Sequence, residues 1–293
     1  MHRVRSRRTL DAFPFMELEL TFHLMQMRPR PVVTGLVFAV SVACGAFAAE
    51  QAPKLVPGST LAVTFPDMPQ TFFAMQQKTN VPAQMTVYLP TNYDPAKKFP
   101  LLIWLNGGDG GDGTTLGVAR GVTQGRDFIC VSVPLFKASL APVSGPKGPR
   151  PGFVINAADG KVMWPHFKTM LDKLEKLVPN IDPAHRVLGG FSNGAHATAA
   201  LIDSSDGEIT RFFSAFVVVE GAGKLEHYER LNGKPFLMVS SNAKSKPRAE
   251  QIVEAAKAAG AKAELIVEAV GQHDFPVRAY PKVSAWLRGP GME

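Results

Sequence analysis

Disulfides cannot carry this chain: 293 residues hold only two cysteines, Cys44 and Cys130. Tryptophan (three) and tyrosine (four) are also scarce, so the 19 phenylalanines must supply most of any aromatic core. The net charge of +7 comes without a basic stripe. Apart from the bunched Arg3, Arg5, Arg7 and Arg8, basic and acidic residues are interspersed, which excludes the electrostatic footprint of a nucleic-acid binder. Internal repeats and heptad runs are missing, and with them solenoids and coiled coils. The longest apolar run, Val32–Ala46, has about fifteen residues against the ~20 of a membrane-spanning helix.

That run has a different reading. Arg28 and Arg30 precede it, and Ala46-Phe47-Ala48 places small residues at a cleavage spacing. The pattern is that of a secretory signal peptide starting at Met27 and cut after Ala48 or Ala49. Residues 1–26 then read as an extension from a start codon assigned too early. Lipidation of Cys44 is the weaker alternative, because Ser41-Val42-Ala43 fits a lipoprotein signal poorly. The expectation is a secreted or periplasmic protein, not inserted in a membrane after cleavage. Six of the 32 basic and three of the 25 acidic residues lie before Glu50, leaving 26 and 22, a net of +4. Only Cys130 survives cleavage. It sits in the apolar run Phe128–Val131 and reads as a buried small hydrophobe. Residues 50–293 suffice for one domain with one substantial core.

From Ser59 onward strand-like and helix-like segments alternate. Strands are expected at Leu61–Phe65, Met85–Leu89, Leu101–Leu105, Phe128–Val133, Val187–Phe191, Phe216–Val219, Phe236–Val239 and Leu265–Val270. Helices are expected at Pro165–Val178, Ala195–Ile202, Ala249–Ala259 and Tyr280–Leu287. Leu101–Leu105 is continuously apolar, as a parallel strand covered on both faces should be. The alternation predicts an α/β fold, a mainly parallel central sheet with helices on both faces, the opening pair being open to an antiparallel arrangement. The inter-strand segments leave no room for a large cap domain. In such sheets ligands sit beyond the C-terminal strand ends, so reactive residues are sought in the loops that follow strands.

The stretch Gly190-Phe191-Ser192-Asn193-Gly194 lies between an apolar strand and a run of helix formers. In the context strand, G-x-S-x-G, helix, the serine sits on a sharp turn and serves as a nucleophile; the alternative is a plain helix cap. After the Trp104 strand, Asn106–Gly113 is rich in glycine. Its backbone N–H groups, at Gly108 or Asp109, together with that of Asn193, would stabilise the oxyanion of a tetrahedral intermediate. Gly108, Gly110 and Gly113 also spell G-x-G-x-x-G, with Asp127 beyond, so a dinucleotide-binding oxidoreductase is a remote alternative. Against it, Asp109 and Asp112 would face a pyrophosphate, and Asp127 precedes the next strand. The acid spacing does not fit a calcium loop, and no metal site is expected. After the last strand, His273 in Gly271-Gln272-His273 stands just past a strand end and downstream of the serine, placed to take and return its proton.

On these motifs, over roughly Pro82–Leu287, the chain resembles the α/β-hydrolase superfamily, in particular compact secreted esterases related to dienelactone hydrolases and polyhydroxyalkanoate depolymerase-like enzymes. The resemblance implies a Ser/acid/His triad in that chain order, an oxyanion hole from the Asn106–Gly110 turn and Asn193, and cofactor-free ester hydrolysis through an acyl-enzyme. One element departs from it. The acid usually follows the Phe236 strand, where this chain has Ser240–Pro247 without a carboxylate. Glu220 at the end of the preceding strand is the first candidate; Asn242 as a neutral substitute and Asp274 beside the histidine are the others. The long Pro- and Gly-rich segment Lys137–Met163 is expected to wall an open, shallow site with Phe153 and Trp164, suited to small or saccharide-linked esters. A catalytically degenerate binding protein on the same scaffold is the competing expectation, kept alive by Asn242.

Overall fold

The computed structural model describes residues 53–140, 142–143, 150–223, 225–268 and 271–289. The leader, its cleavage site, Cys44 and the last two residues of the expected strand Leu265–Val270 lie outside the described residues. In chain order the elements are β1 (Thr60–Phe65), α1 (Phe72–Gln77), β2 (Ala83–Tyr88), β3 (Phe99–Leu105), α2 (Gly117–Thr123), β4 (Ile129–Ser132), β5 (Pro142–Val143) and β6 (Arg150–Pro151). There follow α3 (Ala157–Leu177), β7 (Ile181–Phe191), α4 (Asn193–Ser204), α5 (Glu208–Phe212), β8 (Ala215–Val219), β9 (Pro235–Ser240), α6 (Lys246–Ala258), β10 (Lys262–Val267) and α7 (Tyr280–Arg288).

Eight strands form one sheet in the order β1-β2-β4-β3-β7-β8-β9-β10. β2 runs antiparallel to both β1 and β4, and every other pairing is parallel. The short β5 and β6 form a separate hairpin. Period-two alternation divides β3 between the two faces. Leu101, Ile103 and Leu105 join the core built on α3, α4 and α6, while Leu102 and Trp104 join the core built on α2 and α7. Covering both faces is what makes the strand apolar without interruption; each fully buried side chain of this size contributes about 1.5–3 kcal/mol. Among the described residues no helical domain is inserted over the sheet.

Several boundaries differ from expectation, β7 starting at Ile181 and α6 at Lys246 among them, and two others differ for plain physical reasons. α3 starts at Ala157, two turns before Pro165, because Asn156 and Asp159 form a reciprocal capping box: the Asn156 side chain accepts from the N–H groups of Ala158 and Asp159, and the Asp159 carboxylate accepts from Asn156 N–H. Pro165 is carried inside the helix. β10 starts at Lys262, because an edge strand needs only its alternate residues apolar, and Lys262, Glu264 and Val267 remain exposed.

Candidate active site

β7 ends at Phe191 and α4 begins at Asn193, leaving Ser192 alone at the corner. Its φ of 53° and ψ of −114° lie where a non-glycine residue costs on the order of 1–3 kcal/mol. The corner is held from both sides: Ser192 N–H donates to Val219 O (2.8 Å), and His196 N–H donates to Ser192 O (3.1 Å). Close approach explains the flanking glycines. A Cβ on Gly190 would stand 2.3 Å from Gly194 O, and one on Gly194 would stand 2.0 Å from Leu105 O. The Ser192 side chain makes no capping bond to α4, so the helix-cap reading does not hold.

The Ser192 hydroxyl faces His273 instead. Oγ lies 2.7 Å from His273 Nε2, across 81 residues of sequence. The other ring nitrogen, Nδ1, lies 3.4 Å from Glu220 Oε2. Glu220 follows β8 with a positive φ of 47° and is buried, its side chain 2% exposed against 54% for His273. The second carboxylate oxygen, Oε1, is saturated by Ser241 N–H (2.5 Å), Asn242 N–H (3.1 Å) and Ser245 Oγ–H (2.8 Å). One oxygen is thereby anchored to the end of β9 and the other is left to the imidazole. Buried carboxylates need such donors, because an unpaired charge away from water is costly.

The His273 loop has its own tether, which the sequence did not announce. Buried Ser241 Oγ lies 2.5 Å from Asp274 O and 3.2 Å from Gln272 O, the carbonyls on either side of His273. The alternative acids are engaged elsewhere. Asn242 Oδ1 accepts from Lys244 N–H (2.9 Å), and Asp274 Oδ1 accepts from Phe275 N–H (2.7 Å).

On the opposite side of Ser192 lies the glycine-rich turn. Gly110 N–H closes it onto Gly107 O (3.0 Å), leaving the N–H groups of Gly108 and Asp109 outside that bond. A Cβ on Gly107 would come within 3.2 Å of Ser192 Cβ, so the turn abuts the Ser192 corner. Asn193 N–H opens α4, where the first amides have no partner within the helix. The Asn193 side chain does more than the sequence suggested. Its Nδ2 donates to Gly108 O (2.6 Å) and Phe153 O (2.9 Å), and its Oδ1 accepts from Ile155 N–H (2.8 Å). A G-x-S-x-G pattern leaves the residue after the serine unspecified, so nothing local reveals this clamp.

Other expected features lie apart from the site. Asp109 and Asp112 close local turns onto Gly111 and Thr114 N–H. Asp127 pairs with Asn92 and Arg288 just before β4, at the end of the sheet opposite the glycine-rich turn, and the helix after that turn starts only at Gly117. That geometry does not suit a dinucleotide. Phe153 is half exposed beside the clamp, but Trp164 donates to Glu208 and lines a separate surface with Arg186 from the middle of β7. The Lys137–Met163 segment is pinned at its base by a buried ion pair, Lys137 Nζ to Asp159 Oδ2 at 2.8 Å. His185 and His227 pair with Asp182 and Glu229. Burial lowers the pKa of both His166 and His196, with Arg248 and His273 adding to the effect at His196. Burial also pushes the Cys130 thiol up to about 12. Among the described residues no group of three or more His, Cys, Asp or Glu is placed to hold a metal, and no helix is long and apolar enough to cross a membrane.

No protein-family model matches the chain, and no curated protein matches it. Solved structures do. A thermophilic, thermostable carboxylesterase cloned from a metagenomic library is similar with a TM-score of 0.52 at 18% identity, over 83% of this chain and 92% of that one. The feruloyl esterase module from Clostridium thermocellum, complexed with sinapinate, is similar with a TM-score of 0.51 at 14% identity, over 79% and 87%. A thermostable esterase gives 0.51 at 18% identity over 78% of this chain, which spans 62% of that esterase's length. The eight-stranded sheet, its helices on both faces and these similarities together establish that the chain has the α/β-hydrolase fold.

Proposed function

We propose that the chain is a serine hydrolase of carboxylic esters. The observation that carries the reading is the unbroken line from Ser192 Oγ through the two ring nitrogens of His273 to Glu220. In this reading Nδ1–H faces Glu220 and Nε2 accepts the Ser192 proton, a tautomer assigned from the network. Ser192 Oγ attacks the ester carbonyl carbon as its proton passes to Nε2. The oxyanion accepts hydrogen bonds from Asn193 N–H and from Gly108 or Asp109 N–H. Collapse breaks the bond to the leaving oxygen, which takes the proton from Nε2, and water repeats the sequence to release the acid. Glu220 stabilises the transient imidazolium.

The half-exposed rim at Phe153 and His273, with no inserted helical domain among the described residues, supports a substrate class of small or carbohydrate-linked esters. No cofactor enters this chemistry. The degenerate-binder alternative loses its motive once a carboxylate stands beside His273. The test is turnover of p-nitrophenyl acetate together with labelling by a fluorophosphonate. Both are expected in the wild type and lost in Ser192→Ala; an inert wild type rejects the reading. Export is proposed with it, and N-terminal sequencing of the protein recovered outside the cytoplasm should begin at Ala49 or Glu50.

A further inference from the structure

A groove of about 640 Å3 lies along α4, the helix that begins one residue after Ser192, and its lining shares no residue with the chemistry above. Two of its three walls are bonded to the Ser192 corner, through Ile155 N–H to Asn193 Oδ1 and His196 N–H to Ser192 O. Ile155, whose N–H is held by the Asn193 side chain, lies in the first wall with Val154, Ala157 and Ala158. His196, one turn below Ser192, begins the second, which continues along α4 as Ala199, Ala200 and Asp203. Gly223, three residues beyond Glu220, lies in the third with Glu226, and Arg248 completes the rim. The volume falls in the range of about 300–1,000 Å3 typical of small-molecule clefts.

We infer that this groove is the subsite for a neutral polyhydroxylated group, a sugar ring attached to the ester; the inference deepens the hydrolase reading and rests on it for the connection to Ser192. The chemistry of the walls selects the ligand. Four alanines and exposed Val154 supply its apolar surface, which suits the C–H face of a saturated ring. Among the described residues the lining includes no phenylalanine, tyrosine or tryptophan, so His196 is the one ring it offers to a flat phenolic group. Charge of both signs lines it: Arg248 on one side, Asp203 and Glu226 on the other, beside a His196 that burial holds toward its neutral form. Neither a strongly anionic nor a strongly cationic ligand finds a complementary field there, whereas hydroxyls can both donate to the carboxylates and accept from the guanidinium. Asp203 is already committed, accepting from Glu226 and His227 N–H, so the free rim groups are Glu226 and Arg248.

Three substrates and three variants test the inference. The substrates are a monoacetylated disaccharide, methyl ferulate and p-nitrophenyl acetate; the variants are Arg248→Ala, Glu226→Gln and Ala158→Trp, the last filling the groove from an exposed position. The wild type should prefer the acetylated disaccharide. Arg248→Ala and Glu226→Gln should each lower its kcat/KM by about tenfold, the loss of one hydrogen bond to a charged group. Ala158→Trp should remove the preference, with p-nitrophenyl acetate turnover and fluorophosphonate labelling unchanged in all three. Equal losses on all substrates, or a preference for methyl ferulate, overturns the inference. Free cellobiose, titrated into Ser192→Ala by NMR, provides a readout independent of catalysis. Cellobiose binding that is lost in Ala158→Trp upholds the subsite even if the wild type fails to hydrolyse esters; an active wild type whose Ser192→Ala form binds no cellobiose sinks the subsite alone.

Discussion

The two flanks of Ser192 are built from opposite materials. The His273 flank is organised by a formal charge: Glu220 is buried, one of its oxygens saturated by three donors from the end of β9 and the other turned to the imidazole. The glycine-rich flank is organised by a neutral amide: Asn193 uses both donor hydrogens and its oxygen to join the Gly108 turn to the Phe153–Ile155 segment. In the proposed hydrolase the difference follows from what each flank would do. A developing imidazolium needs a nearby negative charge, and that charge must be fully solvated by protein. A developing oxyanion needs donors held still, and a carboxylate placed there would oppose it.

The contrast can be broken from either side, and the charged side should fail harder. Glu220→Gln keeps the shape but removes the charge and is expected to lower kcat on the order of 10⁴-fold. Asn242→Ala should stay within a few-fold of wild type, since its side chain serves a local turn. Steady-state kinetics on the two variants decides the assignment, and equal losses would return Asn242 to the site. On the neutral side, Asn193→Ala strands Gly108 O, Phe153 O and Ile155 N–H. A fall in kcat of about 10²-fold is expected from a loosened oxyanion hole. Thermal unfolding should show about 1–3 kcal/mol of lost stability from the unsatisfied groups.

A smaller effect sharpens the comparison. Ser241→Ala frees the two carbonyls that bracket His273 while leaving the Ser241 N–H bond to Glu220 in place. A drop of about tenfold in kcat with KM unchanged is expected, the cost of one lost bond in positioning the imidazole; a matching rise in KM would place Ser241 in substrate binding instead. The smallest effect is an absence of one. Cys130 lies far from both flanks' chemistry, its thiol pushed up to about 12 by burial. Mass spectrometry should find it unmodified by iodoacetamide at neutral pH in the native protein and alkylated only in denaturant.

What the sequence disclosed and withheld follows one physical line. Strands β3, β4, β8 and β9 are buried on both faces, so their unbroken apolar runs were plain. Edge strand β10 buries alternate residues only, and its start was missed. The corner at Ser192 announces itself because close packing leaves only glycine at positions 190 and 194. The acid is legible only as the first of three candidates, because a carboxylate at the end of β8 reads like any solvated strand end until the chain brings Ser241, Asn242 and Ser245 around it. The Asn193 clamp and the Ser241 tether join residues 31–85 positions apart in sequence, and no local pattern encodes them. The start of α3 is encoded by its capping box, Asn156 and Asp159, but Pro165 obscures it, because proline is at home in a helix's first turn and is here carried in the interior.

The most direct measurement is to react the protein with a fluorophosphonate and map the adduct by tandem mass spectrometry, alongside Glu220→Gln. The account predicts a single modified residue, Ser192, formed rapidly in the wild type and far more slowly in the variant. A wild type that forms no adduct, or forms it on another residue, would contradict it.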